Sequence, residues 1–240
     1  MNQTTVPIYR SDGSVMRALW CLPDAPPTRA PAVLVIFDVY GMTPDLTRIA
    51  ERFVEHGYAV LVPDLFDRKD GRLSCVMHAL RSSVRGAGRE FDDLKSARDY
   101  LASRPEVNAE RIAVTGFCLG GGFAVYLAAS GLYKVSAPFY GEVPRSAEAL
   151  RGSCPIIASY GARDSKRMVA AGHRLQSHMA ALEIPGEVKF YPEAGHSFMN
   201  RNTGFLAEKV GPHLPIHAQY HETSAEDAWR RMFSFFDAHL

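Results

Sequence analysis

Gly-Phe-Cys-Leu-Gly occupies residues 116–120 and separates the apolar run 112–115 from the small-residue segment 123–129. The run predicts a buried strand, and the segment predicts the body of a helix. Gly-x-nucleophile-x-Gly at such a junction is typical of a sharp, strained turn, because its glycines let neighbouring backbones approach closely. The pattern predicts that Cys118 points its sulfur into open space at a helix N-terminus, where the helix field favours the thiolate.

Size and composition indicate a single domain over residues 1–240. The chain is 47% apolar and 22% charged, which is ordinary for a globular protein of this length. Its formal net charge is +1, so no strong field directs it to nucleic acid or to a membrane surface. No stretch reaches the roughly 18 apolar residues of a membrane span, and no signal peptide is visible.

Cysteine usage predicts a cytoplasmic protein with free thiols. The four cysteines are widely spaced and form no CxxC pair, which disfavours a disulfide framework. Apart from Cys118, we expect Cys21 and Cys154 to be buried and inert in apolar strand contexts. Cys75 is expected to begin a helix at the surface.

Alternation of strand-like and helix-like segments predicts an α/β fold with a mostly parallel sheet of about seven to eight strands and helices on both faces. The predicted strands cover residues 32–37, 58–62, 112–115, 135–140, 155–160 and 187–191. The predicted helices cover residues 46–56, 74–84, 91–101, 123–129, 168–182 and 225–239. Residues 1–22 predict antiparallel strands at the sheet edge, with a turn around Asp12-Gly13. Together with the turn at 116–120, this order is typical of the α/β-hydrolase fold.

Three chemistry-bearing residues each follow a separate predicted strand, in the order nucleophile, acid, histidine. Cys118 follows the strand 112–115, Asp164 follows 155–160, and His196 follows 187–191. Strand-end loops of parallel sheets build the sites of such folds, so we expect the three side chains to meet. This pattern predicts a catalytic triad in which Cys118 is the nucleophile, His196 the base and then the acid, and Asp164 the group that orients it.

Each of these residues could instead have a purely structural, non-catalytic role. Cys118 could be an inert cysteine in a tight turn, and Asp164 could be a turn residue or a helix N-cap. His196 could be a hydrogen-bonded loop histidine. Glu193 is a rival orienting group on the same loop as His196, where we expect it to be solvated.

An oxyanion hole should use two backbone N–H groups, one after the nucleophile and one after the strand 32–37. The first is the N–H of Leu119. The strand is followed by Asp38-Val39-Tyr40-Gly41, so the second candidate is the N–H of Val39.

The chain resembles the dienelactone hydrolase (carboxymethylenebutenolidase) family of the α/β-hydrolase superfamily. The matching motifs span nearly the whole chain and are Asp-Val-Tyr-Gly at 38–41, Pro-Asp-Leu-Phe at 63–66, Gly-Phe-Cys-Leu-Gly-Gly at 116–121, Gly-Ala-Arg-Asp at 161–164 and Gly-His-Ser-Phe at 195–198. The resemblance implies a Cys-His-Asp triad that opens an unsaturated lactone or a related ester through an acyl-enzyme, without metal or organic cofactor.

The resemblance also implies substrate contacts, and here the chain departs from the family pattern. The family has Glu at the position of Asp38, where it contacts the resting thiol, so Asp38 is either a thiol-contacting acid or a carboxylate that holds nearby backbone N–H groups. Arginines hold a substrate carboxylate in the family. Arg201 lies one residue beyond the matching position, and Arg81 is one candidate for the other arginine, beside Arg72 and Arg85.

Aromatic residues near strand ends could line an apolar pocket, and each could equally belong to the core. Among them are Tyr40 and Phe198, together with Phe66, Phe117, Phe139 and Tyr140. The histidines at 213, 217 and 221 have a spacing of four, but Pro212 and Pro215 disfavour a regular helix, so no metal site is predicted.

We therefore predict a cysteine-dependent hydrolase whose partner is a small-molecule ester or lactone, including carboxylate-bearing ones. The enzyme is expected to act as a monomer or small homo-oligomer, without nucleic-acid or membrane partners. One alternative is a broad carboxylesterase or thioesterase of the same fold. Another is a thiol sensor in which Cys118 reacts but turns nothing over.

Overall fold

A computed structural model gives the fold and describes residues 1–24, 29–202 and 216–240. One sheet of eight strands runs through this part of the chain in the order β1-β2-β4-β3-β5-β6-β7-β8. The strands are β1 (Asn2–Tyr9), β2 (Val15–Leu22), β3 (Ala30–Ile36), β4 (Ala59–Pro63), β5 (Val107–Phe117), β6 (Val135–Phe139), β7 (Ile156–Gly161) and β8 (Gly186–Tyr191). From β4 to β8 all neighbours are parallel, and β1 and β2 form an antiparallel hairpin at one edge. The predicted fold class is confirmed.

Helices cover both faces of the sheet because the chain changes direction along it. The path from β3 to β4 moves one way across the sheet, whereas the later crossovers move the other way, so right-handed crossovers place their helices on opposite faces. The helices are α1 (Pro44–Glu55), α2 (Arg72–Arg85), α3 (Arg89–Ser103), α4 (Leu119–Leu127), α5 (Lys166–Ala181) and α6 (Glu222–His239). Helices α1 and α6 pack together through Phe53 and Trp229, whose ring centroids are 5.2 Å apart.

The central strands are apolar on both faces, as expected for a parallel sheet that is covered twice. Every residue of β4, β6 and β7 is buried, and in β3 only one residue is partly exposed. These runs lack the alternation of a half-exposed strand, which is why they could be recognised from the sequence. No helix in the described ranges is long and apolar enough to cross a bilayer.

Some sequence-based expectations differ from the structure. Helix α4 begins at Leu119, four residues before the predicted start at 123, because the glycines at 120–122 belong to its first turn. Cys75 was expected at a helix surface, but it is 1% exposed because it lies on the inner face of α2. Cys21 is buried as expected, whereas Cys154 is only partly buried.

Candidate active site

Cys118 lies between β5 and α4 in a backbone conformation that few side chains adopt. Its φ is 54° and its ψ is −109°, and its N–H donates to the Phe139 carbonyl oxygen at 3.1 Å. Such a conformation costs on the order of 1–3 kcal/mol and persists only where surrounding structure imposes it. A Cβ on Gly116 would lie 2.1 Å from the Gly120 carbonyl oxygen, so the turn is too tight for any other residue there. The turn predicted from the sequence is present.

Val39 and Leu119 lie at the same level of the sheet. Strands β3 and β5 pair in parallel with Ile36 opposite Gly116, and each candidate N–H group comes three residues later. A Cβ on Gly120 would meet the Ile36 carbonyl oxygen at 2.1 Å, which shows how closely α4 approaches the end of β3. Within the described ranges, neither the Val39 nor the Leu119 N–H donates a hydrogen bond. Both N–H groups therefore keep an unused donor in these ranges, and Leu119 also lines the cavity beside Cys118.

Asp164 and His196 form a close pair. The Nδ1 atom of His196 lies 2.6 Å from the Oδ2 atom of Asp164, and the Asp164 side chain is 1% exposed. The other oxygen of Asp164 accepts the Ser165 N–H at 2.5 Å, so the carboxylate is held at both ends. Ser165, rather than Asp164, caps α5, because its hydroxyl accepts the Met168 N–H. The Glu193 side chain is 73% exposed and lies 3.7 Å from Arg163.

The charges around His196 stabilise its imidazolium form. Burial lowers its pKa, but the negative charge of Cys118 and the hydrogen bonds to Asp164 and Cys118 outweigh burial and raise the pKa to about 10. Since Asp164 occupies Nδ1, the nitrogen left for Cys118 is Nε2. The arrangement can therefore hold a protonated histidine beside Cys118.

Asp38 does not hydrogen-bond the Cys118 thiol in the described part of the chain. Its Oδ1 accepts the Tyr40 N–H at 2.8 Å, and its Oδ2 accepts Nδ2 of Asn202 at 3.1 Å. Burial raises the pKa of Asp38. The two hydrogen bonds act in the opposite direction and lower it, whereas the nearby Asp45 carboxylate raises it further. The geometry thus corresponds to the second interpretation of Asp38, a carboxylate that holds the loop after β3.

A cavity of about 420 Å³ opens in front of Cys118. Its lining includes Cys118, Asp164 and His196, so the three predicted residues share one site. The rest of the lining is mainly apolar and comprises Leu80, Ser83, Val84, Leu119, Tyr140, Glu142, Ser165, Arg167, Met168 and Ile216. The volume and the apolar walls suit a small organic molecule.

The four predicted substrate contacts lie outside this lining. Phe198 is fully buried and packs on Tyr140, with ring centroids 5.4 Å apart. Arg201 places its guanidinium 4.5 Å from the centre of the Tyr220 ring and donates to its hydroxyl at 3.1 Å. Tyr40 and Arg81 are exposed. The structure therefore does not place Arg201, Arg81, Tyr40 or Phe198 in the wall of this cavity, and their role as substrate contacts stays a prediction.

Sequence reasoning missed a buried hydrogen-bond chain behind His196. The Tyr140 hydroxyl donates to Oδ1 of Asn200 at 2.5 Å, and Nδ2 of Asn200 donates to Asp45 at 3.4 Å. The Tyr140 ring lies 5.1 Å from the His196 ring, between centroids. Burial raises the pKa of Tyr140 well above its usual value, so the hydroxyl keeps its proton. No local sequence pattern links these residues, because they come from three separate loops and helices.

The histidines considered for metal binding do not form a cluster in the part of the chain that the structure describes. Nδ1 of His221 lies 2.8 Å from the Ser224 hydroxyl oxygen at the start of α6. His213 lies outside the described residues. Across the described ranges, no three His, Cys, Asp or Glu side chains are grouped as metal ligands would be.

Comparison with known sequences gives one family over almost the whole chain. The model described as "Dienelactone hydrolase family" matches residues 16–240. The carboxymethylenebutenolidase of Rhodococcus opacus is 29% identical over 226 residues, which cover 87% of this chain and 81% of the relative.

Solved structures share the fold over their full length. A dienelactone hydrolase-like promiscuous phosphotriesterase from metagenomic libraries superposes with a TM-score of 0.80 and 22% identity, covering 100% of this chain and 99% of its own. The dienelactone hydrolase of Anabaena variabilis gives a TM-score of 0.74 and 17% identity, covering 100% and 98%. At these identities the likeness shows the α/β-hydrolase fold.

Proposed function

The chain belongs to the dienelactone hydrolase family and is a carboxylic ester hydrolase, and we propose that it cleaves a small ester or lactone through an acyl-enzyme on Cys118. The observation that carries this proposal is the 2.6 Å contact between His196 and Asp164 inside the cavity that Cys118 also lines. A thiol nucleophile needs a base in reach and a group that orients that base. In this proposal Cys118, His196 and Asp164 fill these three roles, each from its own strand-end loop.

Acylation begins when the Sγ atom of Cys118 attacks the carbonyl carbon of the substrate. The carbonyl oxygen gains negative charge and accepts hydrogen bonds from the N–H groups of Val39 and Leu119. Each such donor is typically worth about 3–4 kcal/mol in the transition state. His196 then gives its Nε2 proton to the leaving oxygen as the C–O bond breaks, which leaves a thioester on Cys118.

Deacylation uses the same groups in reverse. The neutral His196 takes a proton from water through Nε2, and the resulting hydroxide attacks the thioester carbonyl. The C–S bond breaks and restores the Cys118 thiolate beside the His196 imidazolium. Asp164 stays ionised throughout and holds the imidazole ring in the orientation that both steps need.

Hydrolysis of an activated ester by Cys118 variants tests the proposal. Cys118→Ala should lose turnover of p-nitrophenyl acetate to the level of the buffer. Cys154→Ala is the matched control, because Cys154 lies before β7 at the opposite end of the strand from the site, and it should keep turnover. Full turnover by Cys118→Ala would refute the proposal. Alkylation of Cys118 by iodoacetamide in a wild-type protein without turnover would favour the thiol sensor instead.

A further inference from the structure

Helix α2 exposes a row of four apolar side chains, which we call the α2 stripe. Leu73 is 77% exposed, Met77 43%, Leu80 37% and Val84 51%. Their spacing of four, three and four residues places them on one face of the helix. Contiguous exposed apolar surface of this kind commonly marks a place where something binds.

The α2 stripe is continuous with the cavity in front of Cys118. Leu80 and Val84 belong to the stripe and also line the cavity, whereas Leu73 and Met77 extend it toward the start of α2. Helix α2 rises 1.5 Å per residue, so Leu73 lies about 10 Å beyond Leu80, roughly the length of an eight-carbon chain. A hydrocarbon chain that leaves the cavity along α2 therefore meets apolar side chains over its whole length.

Helix α2 is fixed at both ends by hydrogen bonds to elements around the site. Nη2 of Arg72 donates to the Tyr40 carbonyl oxygen at 2.6 Å, in the loop that follows β3. The Tyr126 hydroxyl donates to the Val84 carbonyl oxygen at 3.0 Å, from helix α4. The stripe is thus held in place relative to Cys118, as a binding wall must be.

The charged groups of the cavity are already paired with one another. Nε of Arg167 lies 2.6 Å from Oε1 of Glu142, and Asp164 pairs with His196. Arg167 is the one arginine in the cavity lining as described. A carboxylate on the substrate would compete with Glu142 for Arg167, whereas an uncharged substrate leaves that pair intact.

We infer that this enzyme selects uncharged esters carrying a hydrocarbon chain, and that the chain lies along the α2 stripe. The inference rests on the proposed function, because it places the ester carbonyl at Cys118. The selection arises from burial of methylene groups against Leu80, Met77 and Leu73. Each methylene removed from water strengthens binding by about three- to fourfold.

The test compares esters of increasing chain length on three proteins. These are the wild type, the double variant Leu73→Gln with Met77→Gln, and the control Val15→Gln, which changes a residue 45% exposed on β2. One series varies the acyl chain of p-nitrophenyl esters from acetate to octanoate, and the other varies the alcohol of alkyl acetates, all at monomeric concentrations. The readout is the ratio of kcat/KM for the longest and shortest esters.

We expect the longest ester to exceed the shortest by at least tenfold in the wild type and the control, in one of the two series. The ratio should fall to within about threefold in the double variant, mainly through KM, and the series that responds shows which side of the ester lies on the stripe. Equal ratios in wild type and double variant would overturn the inference. So would a preference for p-nitrophenyl succinate, which carries a carboxylate, over the neutral butyrate.

Two further measurements separate this inference from the proposed function. Calorimetric binding of octanamide and acetamide to Cys118→Ala reports on the stripe without turnover, and Leu73→Gln with Met77→Gln should remove the advantage of octanamide. If turnover is independent of Cys118 but the octanamide advantage holds, the proposed function fails alone.

Light scattering on the double variant is the last check. A lower mass with an unchanged ester ratio would assign the stripe to contact between copies of the chain and overturn the inference.

Discussion

The Nδ1 atom of His196 lies 2.6 Å from the Oδ2 atom of Asp164, at the edge of the cavity that contains Cys118. Because the Ser165 N–H holds the second oxygen of Asp164, the carboxylate cannot rotate away from the histidine. This contact fixes the ring orientation of His196 and directs Nε2 toward the sulfur. It also helps to raise the pKa of His196, so the charge state of His196 is coupled to stability.

Loss of the Asp164 charge should slow turnover without unfolding the protein. Asp164→Asn leaves a side chain of the same shape that can hold His196 in the wrong tautomer, so we expect kcat to fall by about 10²- to 10⁴-fold. Glu193→Gln is the matched control, because its side chain is 73% exposed, and it should keep wild-type kcat. Steady-state ester hydrolysis measures both. A larger loss of kcat in Glu193→Gln than in Asp164→Asn would make Glu193 the orienting carboxylate.

His196 should make stability depend on pH in a defined window. Its pKa is raised from 6.5 to about 10, so the folded state binds the imidazolium proton more tightly than the unfolded state does. This contribution is fully present below about pH 6.5 and is lost as the pH rises to about 10. The free energy of unfolding of wild type relative to His196→Gln should therefore decrease across that range, as measured in urea at pH 6, 8 and 10. A difference that stays constant would contradict the raised pKa.

Asn200 should contribute measurably to stability, although it is not an apolar core residue. Asn200→Ala leaves the fully buried Tyr140 hydroxyl without its acceptor, and an unsatisfied buried hydroxyl costs about 1–3 kcal/mol. The exposed Asn2→Ala on β1 is the control and should change the free energy of unfolding by less than about 0.5 kcal/mol. Chemical denaturation gives both values. Equal stability of the two variants would show that the Tyr140–Asn200 bond adds nothing.

The glycines of α4 should differ sharply in their tolerance of alanine. A Cβ on Gly120 would lie 2.1 Å from the Ile36 carbonyl oxygen, so Gly120→Ala must push α4 away from β3 and should cost about 1–3 kcal/mol or more. The nearest atom to a Cβ on Gly122 is the Ser83 Cβ at 3.4 Å, which is close to ordinary contact. Gly122→Ala should therefore be neutral or gain up to about 1 kcal/mol of helix stability. Thermal unfolding of both variants measures the difference in stability. Similar unfolding midpoints would contradict the predicted crowding at Gly120.

The fold could be predicted, and the three triad positions could be proposed, because each depends on a local pattern. Apolar runs identify the strands before Cys118 and Asp164, and the half-exposed strand β8 precedes His196. Parallel pairing then brings those loops to one edge of the sheet. The positions of Val39 and Leu119 follow from the same register, since Ile36 pairs with Gly116.

The walls of the cavity could not be predicted, because they depend on where α2 crosses the site. Leu80 and Val84 are ordinary helix residues in the sequence. Their place beside α4 is visible only in the structure, where the Tyr126 hydroxyl donates to the Val84 carbonyl oxygen. For Arg201, the sequence suggested a position in the site that the structure does not show. It is close to His196 in sequence, but its guanidinium stacks on Tyr220 instead of entering the cavity. The spacing of apolar residues in helix α2 could have indicated the α2 stripe, although not the continuity of the stripe with the site.

Covalent chemistry at Cys118 is tested most directly by trapping its acyl-enzyme. p-Nitrophenyl butyrate is mixed with excess wild-type enzyme, quenched in acid during the first turnover and analysed by peptide mass mapping. We predict a butyryl adduct on the peptide that contains Cys118, and its absence in Cys118→Ala. Rapid turnover with no adduct on that peptide, or with the adduct on another residue, would contradict nucleophilic catalysis by Cys118.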